Sequence, residues 1–110
     1  MIVYIAGPYT APTAGQVDAN IGLARDAAAE VYRHGHIPLC PHALTARFER
    51  DYPDIPGPRY LESDLELLAR CDAILMLPRW EESRGAQQER ERAMSLGLPV
   101  YYSVEELPKP

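Results

Sequence analysis

Short apolar runs alternate with longer amphipathic stretches along the chain, and this alternation constrains the fold more than any other feature. Each run has the length of a strand and either begins with proline or has glycine or proline directly beside it. The four runs are IVYIA at 2–6, HIPLC at 36–40, AILML at 73–77 and PVYYS at 99–103. Pro38 interrupts the second run and predicts an edge strand, because proline cannot donate a hydrogen bond within a sheet.

Helices are predicted between these runs, over 19–34, within 43–50, over about 60–71 and over 84–96. Asp18 is a good N-cap for the first helix, and Gly35 and Gly97 are placed to end the first and the last. The resulting order predicts one α/β domain over residues 1–110, with a mainly parallel sheet of four or five strands and helices on both faces. This is a Rossmann-like or flavodoxin-like three-layer sandwich.

Composition limits the classes of function. Hydrophobic residues make up 46% and charged residues 25% of the chain, which is typical of a soluble globular domain. The longest apolar run is far shorter than the roughly 20 residues that span a bilayer, so no membrane segment is predicted. The N-terminus reaches Gly7 without the apolar region of a signal peptide, which indicates a cytoplasmic protein. A net charge of -5 without a Lys/Arg cluster disfavours binding to a long nucleic acid.

The sequence predicts neither a metal nor a cofactor. Cys40 and Cys71 lie far apart and are expected to be buried free thiols, and no set of histidines, cysteines and acids has the spacing of metal ligands. His34 and His36 flank the predicted helix end and are expected at the surface. Neither a G-x-G-x-x-G nor a G-x-x-x-x-G-K-[ST] motif is present, which disfavours dinucleotide and P-loop chemistry.

A ligand site is expected beyond the carboxyl ends of the strands, where open parallel sheets bind their ligands. Those ends are Gly7 to Tyr9, Pro41 to His42 and Pro78 to Trp80. Tyr9 is a candidate to stack on or hydrogen-bond a ligand, with loop packing as the equal alternative. His42 is a candidate contact for a phosphate or a base. Trp80 offers an aromatic plane to a nucleobase, with a lid or a subunit contact as the alternative.

Two acidic residues fall on the apolar faces of predicted helices. At about 100° per residue, Glu89 projects with Ala86 and Ala93, whereas Glu91 points away. Asp64 falls in the same way among the leucines of the preceding helix. Because an unpartnered buried carboxylate is costly, each acid is expected to be hydrogen-bonded, protonated or beside a cleft.

Several interpretations of this pair remain open. An acid in the first turns of a helix can do no more than complement the helix dipole or cap the helix. Together, the two carboxyl groups suit a nucleophile and a proton carrier, the arrangement of retaining glycosidases. A purely structural role is the third possibility, with Asp64 and Glu89 paired to Arg90 or another arginine within a dimer.

Three motifs resemble those of the nucleoside 2-deoxyribosyltransferase superfamily, which includes the deoxynucleoside 5'-monophosphate N-glycosidases. They are VYIAG at 3–7, SDLELLARCDAILML at 63–77 and SRGAQQE at 83–89. The N-terminal YIAGPYT and the loop WEESRGA are most similar to a small DUF4406-like branch. The resemblance covers nearly the whole chain.

The resemblance implies catalytic roles for three residues. Glu89 matches the nucleophile, Asp64 matches the general acid, and Tyr4 matches the tyrosine whose phenol holds the nucleophile. In the family this carboxylate attacks C1' of the sugar and releases the base. Water or a second base then resolves the glycosyl-enzyme.

The resemblance also implies a phosphate site. Ser83 lies six residues before Glu89, where the monophosphate hydrolases have a serine that helps to bind the 5'-phosphate. Its hydroxyl and the backbone N–H groups of Arg84, Gly85 and Ala86 at a helix N-terminus suit a phosphate, with the Arg84 side chain as a counter-charge. An N-cap role for Ser83 is an alternative that is compatible with phosphate binding.

The sequence therefore predicts hydrolysis or exchange of the N-glycosidic bond of a nucleoside 5'-monophosphate, through a glycosyl-enzyme on Glu89. The alternative is a non-catalytic module that binds a nucleotide in the same cleft. Family members are dimers or larger oligomers whose site borrows a polar residue from a neighbouring subunit. A homodimer or higher homo-oligomer is accordingly expected.

Overall fold

A computed structural model describes residues 1–110. Four strands and five α-helices follow one another in the order β1 Ile2–Ala6, α1 Ala14–Arg33, β2 Ile37–Leu39, α2 Pro41–Leu44, α3 Phe48–Asp51, α4 Pro58–Leu68, β3 Ala73–Met76, α5 Arg84–Ser95 and β4 Val100–Tyr101. Two short 3-10 helices cover Trp80–Glu82 and Val104–Glu106. None of the helices combines the length and the apolar character that a membrane crossing requires.

The strands form one sheet in the order β2-β1-β3-β4, and every neighbouring pair is parallel. On β1, Tyr4 lies between Leu39 of β2 and Ile74 of β3, so this tyrosine is at the centre of the sheet. Strand β2 forms an edge, as predicted from Pro38. The predicted α/β class with a four-stranded parallel sheet is confirmed.

Alternation of side chains along β1 divides the core into two parts. Val3 and Ile5 pack with Ala24 and other residues of α1 on one face of the sheet. Tyr4 faces the other side, where it packs with residues of α4 and α5. Both faces are covered by helices, which confirms the predicted three-layer arrangement.

Helix α1 begins earlier than predicted. Its N-cap is Thr13, whose hydroxyl accepts a hydrogen bond from the Gln16 N–H at 3.2 Å. Asp18 lies inside the helix, where its carboxylate is 3.5 Å from Nε of Arg47. The prediction of Asp18 as N-cap was wrong because aspartate is only modestly preferred over threonine as a cap, and the glycine at 15 does not stop the helix.

The other helix boundaries follow local backbone signals. Gly35 and Gly97 have φ values of 85° and 74° just beyond α1 and α5, so their predicted roles at helix ends are confirmed. The helix predicted within 43–50 is split into α2 and α3 at Arg47, which has a φ of 60°. Helix α4 begins at Pro58, a favourable first residue for a helix, rather than at Tyr60.

His36 is buried, contrary to the prediction of a surface position. It is 4% exposed, and its Nδ1 lies 3.0 Å from the Met1 amino group. Because that ammonium group can only donate, Nδ1 accepts, and Nε2 donates to the carbonyl oxygen of Pro108 at 2.6 Å. The C-terminal tail therefore covers the start of β2. Both cysteines are free and buried, as predicted: Cys40 and Cys71.

Candidate active site

One large cavity opens at the carboxyl-terminal edge of the sheet, where the sequence predicts a ligand site. Its volume is about 640 Å³, which is ample for a nucleotide. The loop after β1, the chain after β2, helix α4 and the start of α5 form its walls. The lining residues are Gly7–Thr10, Pro41, His42, Thr45, Glu49, Gly57, Tyr60, Leu61, Asp64, Glu82–Ala86 and Glu89.

Glu89 is the buried acid of this cavity. Helix α5 turns Ala86, Glu89 and Ala93 inward, as the helical period predicts, whereas Glu91 is exposed. Glu89 is 6% exposed, and its Oε2 accepts a hydrogen bond from the Tyr4 hydroxyl at the centre of the sheet. The Tyr4–Glu89 contact is the one that the resemblance implies.

Two carboxyl groups in one cavity have pKa values raised towards neutral pH. Burial raises the pKa of Glu89 to about 8; the Tyr4 hydrogen bond lowers this pKa and the charge of Asp64 raises it. Burial also raises the pKa of Asp64 to about 6. Neither carboxylate forms an ion pair. Displaced pKa values of this kind in a cavity are typical of acid–base sites.

Tyr4 acts as a permanent hydrogen-bond donor. Its side chain is fully buried, and burial raises the pKa of its phenol far above the ordinary value. The negative charges of Glu89 and Asp64 raise this pKa further. The phenol therefore keeps its proton and fixes the orientation of the Glu89 carboxyl group. A catalytic role for this contact stays a prediction.

Ser83 closes the N-terminal end of α5. Its Oγ accepts a hydrogen bond from the Ala86 N–H at 3.1 Å, so its N-cap role is confirmed. Arg84 and Gly85 line the cavity beside it. Because the first turn of a helix leaves backbone N–H groups without intrahelical partners, this end of the cavity favours an anion.

The loop after β1 is held by close packing and by His42. A Cβ atom on Gly7 would lie 2.8 Å from Cβ of Leu77, so only glycine fits at this exit from β1. Nε2 of His42 lies 3.0 Å from the carbonyl oxygens of both Gly7 and Pro8. Since carbonyl oxygens only accept, Nε2 carries the hydrogen, and burial lowers the pKa of this ring. His42 is therefore a neutral side chain whose Nδ1 is an acceptor.

Tyr9 lines the cavity and connects the β1 loop with α3. Its hydroxyl accepts from the Arg47 N–H at 2.8 Å and donates to the Glu49 carboxylate, whose Oε2 is 2.9 Å away. Its ring meets the His42 ring edge-on, with 5.2 Å between the centroids. Tyr9 thus packs the loop, which is one of the two predicted alternatives, and it also faces the cavity. Contact with a ligand stays a prediction.

The structure does not bring Trp80 to the cavity. Its ring packs against Tyr102 at a centroid distance of 6.1 Å, and the Arg90 guanidinium lies over it at 4.8 Å. Arg90 also donates from Nε to the Tyr102 hydroxyl at 2.9 Å. This stack ties the turn before α5 to the end of β4. Within the chain, Arg90 is therefore not paired with Asp64 or Glu89, and the predicted ion pair of these acids with Arg90 is not formed there. A pairing with another arginine across a dimer stays a hypothesis.

Replacement of Trp80 with alanine is expected to lower the free energy of unfolding by about 1–3 kcal/mol. The variant loses the packing against Tyr102 and the cation–π contact with Arg90. Urea unfolding followed by far-ultraviolet circular dichroism measures the change. Trp80→Phe keeps an aromatic ring and should recover most of the loss. An unchanged unfolding free energy in Trp80→Ala would contradict this packing role.

Sequence reasoning missed several polar residues of the cavity: Thr45, Glu49, Tyr60 and Glu82. Position was the signal that could have found them: Thr45 and Glu49 lie between β2 and α4, Tyr60 lies at the start of α4, and Glu82 directly precedes the predicted site residue Ser83. Four acids line the cavity, and Arg84 is its only arginine or lysine. No three histidine, cysteine, aspartate or glutamate side chains are arranged to hold a metal ion.

Comparison with known protein families identifies the family of this chain. The model of the family described as "Domain of unknown function (DUF4406)" matches residues 1–102, nearly the whole chain. This chain belongs to the DUF4406 family. The branch inferred from the N-terminal YIAGPYT and the WEESRGA loop is thereby confirmed. No curated protein matches this DUF4406 chain in sequence.

A solved structure extends the comparison to the fold. The DUF4406 chain is similar to a 2-deoxyribosyltransferase from the psychrotolerant bacterium Bacillus psychrosaccharolyticus, with a TM-score of 0.61 and 17% sequence identity. The similarity covers 91% of this chain and 69% of that chain. That enzyme is described as a biocatalyst for the synthesis of antiviral and antitumoral nucleosides. The shared fold agrees with the superfamily inferred from the three sequence motifs.

Proposed function

We propose that this chain cleaves or exchanges the N-glycosidic bond of a nucleoside 5'-monophosphate, with Glu89 as nucleophile and Asp64 as general acid and base. The observation that carries the proposal is the buried Glu89 carboxyl group, which lines a nucleotide-sized cavity and is oriented by Tyr4. Asp64 supports it as a second carboxyl group in the same cavity. The fold shared with a 2-deoxyribosyltransferase is further support.

The reaction has two steps. In the first, an ionised Glu89 oxygen bonds to C1' while the C1'–N bond breaks and its electron pair leaves with the base. Asp64 donates a proton to the departing base. In the second, water attacks C1', Asp64 takes the proton from that water, and Glu89 leaves as a carboxylate. The products are the free base and the sugar phosphate; a second base in place of water gives exchange.

This chemistry uses a minor ionisation state. The pKa is about 6 for Asp64 and about 8 for Glu89, so an ionised Glu89 beside a protonated Asp64 is rare at neutral pH. The Tyr4 hydrogen bond favours that state because it lowers the pKa of Glu89. The positive charge that develops on the sugar in the transition state favours it further.

The 5'-phosphate is assigned to the start of α5. Ser83 fixes the first turn there, and the Arg84 side chain supplies the one full positive charge among the cavity residues. Helix N-terminus and guanidinium together suit a single phosphate. The four acids of the cavity disfavour the longer anionic chain of a di- or triphosphate.

A nucleotide-binding module is the second candidate, and one observation favours it. With a pKa of about 8, Glu89 is mostly protonated at neutral pH, and a protonated carboxyl group is not a nucleophile. The cavity would then hold a nucleotide without breaking it. Binding by such a module survives or tightens in Glu89→Gln, because the ionisable group is removed.

Release of free base tests the proposal. Ribo- and deoxyribonucleosides and their 5'-monophosphates are incubated with the protein, and the free base is quantified by chromatography. The proposed enzyme releases base, and it does so from monophosphates in preference to nucleosides. No release from the whole panel, with a thermal shift caused by a nucleotide, supports the binding module. Neither release nor shift contradicts both candidates.

Ser83→Ala is expected to raise KM for a 5'-monophosphate by about 10-fold and to leave KM for the nucleoside unchanged, since the proposed substrate contact of the hydroxyl is with the phosphate and not with the sugar or the base. Thr13→Ala is the matched control, because it removes the N-cap hydroxyl of α1, outside the cavity. Each variant loses about 1 kcal/mol of stability with its cap. Steady-state kinetics measure KM for both substrates in each variant. An equal rise of both KM values in Ser83→Ala would contradict the phosphate role.

A further inference from the structure

The β2 side of the cavity has no role in the reaction described above. We call it the acceptor wall, formed by Tyr9, His42, Thr45 and Glu49. Strand β1 lies between β2 and β3, so the ends of β2 and β3, which lead to this wall and to the loop that carries Ser83, are about 10 Å apart across the sheet. A nucleotide with its phosphate beside Ser83 and its sugar at Glu89 therefore places its base against the acceptor wall.

The acceptor wall offers acceptors and no free side-chain donor. The Tyr9 hydroxyl gives its hydrogen to Glu49, and Thr45 donates from Oγ1 to the Pro41 carbonyl oxygen at 3.3 Å. His42 uses its Nε2 hydrogen on two backbone carbonyl oxygens and keeps Nδ1 as an acceptor. The Glu49 carboxylate is the strongest acceptor of the set. A ligand edge rich in N–H groups is therefore favoured here.

Glu49 is held in position although it is half-exposed. The Tyr9 hydroxyl lies 3.1 Å from Oε1 and 2.9 Å from Oε2, and Nη1 of Arg47 lies 3.3 Å from Oε1. The backbone N–H of Arg47 in turn anchors the Tyr9 hydroxyl at 2.8 Å. Since a carboxylate has about four lone-pair sites, Glu49 keeps capacity for a ligand.

The geometry points to Glu49 as the residue that determines base preference, by selecting a base with two adjacent N–H donors on one edge. This inference rests on the proposed function. Among the common bases, guanine has that edge, with the ring N1–H beside the 2-amino group, and a carboxylate accepts such a pair in bidentate fashion. Adenine and cytosine place an acceptor nitrogen beside their amino group. Uracil and thymine flank one N–H with two carbonyl oxygens, which the carboxylate repels.

The test compares guanosine, inosine and adenosine 5'-monophosphates, in ribo and deoxy forms, by equilibrium binding and by base release. The inosine nucleotide lacks only the 2-amino group of the guanosine nucleotide. Wild type is expected to bind the guanine nucleotide about 10-fold or more tightly than the other two, and Glu49→Gln to reduce this preference to about 3-fold or less. Tyr9→Phe, which frees Glu49 from one anchor, should reduce it in part.

Glu62→Gln is the matched control, because Glu62 is an exposed glutamate of α4 outside the cavity, paired with Arg59. Its guanine preference should equal that of wild type. A guanine preference that persists in Glu49→Gln, or no such preference in wild type, overturns the inference. Base release without guanine preference overturns it and leaves the proposed function standing. Guanine-selective binding that Glu49→Gln abolishes, without base release, supports it and contradicts the proposed function; no binding at all contradicts both.

Discussion

Glu89→Gln is expected to abolish base release, with a loss of about 10⁴-fold or more in kcat. Glutamine cannot form a glycosyl ester, so the first step of the reaction has no nucleophile. Its side-chain oxygen still accepts the hydrogen bond from Tyr4 that Glu89 accepts, so the buried phenol keeps a partner and the fold is retained. Single-turnover release of base at saturating monophosphate measures the loss.

Glu91→Gln is the control for this loss. Glu91 lies on the same helix but is exposed, so the same glutamate-to-glutamine change is made there without touching the cavity. Full activity is expected in Glu91→Gln. Circular dichroism of Glu89→Gln should match wild type, which separates lost chemistry from lost structure. Substantial base release by Glu89→Gln would contradict the assignment of the nucleophile.

Most of the fold follows from signals local in the sequence. Gly35 and Gly97 end helices because glycine readily adopts positive φ, and Pro38 requires an edge strand because it lacks an N–H. The buried strands are the apolar runs themselves. The start of α1 was misplaced because two capping residues, Thr13 and Asp18, occur in the same stretch, and the local preference for aspartate over threonine favours the one that does not cap the helix.

Features set by contacts distant in sequence were not predictable from local pattern. The ring of Trp80 turns away from the cavity because Arg90 and Tyr102 hold it from other elements. His36 is buried because the tail returns to it, with Pro108 accepting its hydrogen bond. A residue pattern gives the amphipathic face of an element, but it does not identify the partner that covers that face.

In the candidate site, too, local sequence patterns predicted some residues, whereas contacts between distant residues were not predictable from those patterns. Periodicity alone places Glu89 and Asp64 on inward faces of two helices, which is why both acids were found. The contact of Tyr4 with Glu89 joins residues that are 85 apart, and it came from the family resemblance. Glu49 was missed because Arg47, which has a left-handed backbone conformation, interrupts the helix. The helical segment after it is too short to show an amphipathic pattern.

Glu89→Gln is also expected to stabilise the protein at alkaline pH, by about 3–5 kcal/mol. Burial raises the pKa of Glu89 from 4.5 to about 8, so the folded state disfavours the charged form. The stability associated with this carboxyl group is therefore fully present below about pH 4.5 and is lost as the pH rises through about 8. Because glutamine does not ionise, the variant keeps its stability as the pH rises.

Thermal unfolding of wild type and Glu89→Gln between about pH 4 and pH 9 tests this linkage. The melting temperatures should nearly coincide at the acid end and differ by more than about 10 °C at the alkaline end. Glu91→Gln, with its exposed side chain, should show no such divergence. A difference that stays constant with pH would contradict the burial of an ionisable group. A widening difference would show that the fold sacrifices stability to keep an acid in its cavity, which selection tolerates where the acid is needed for function.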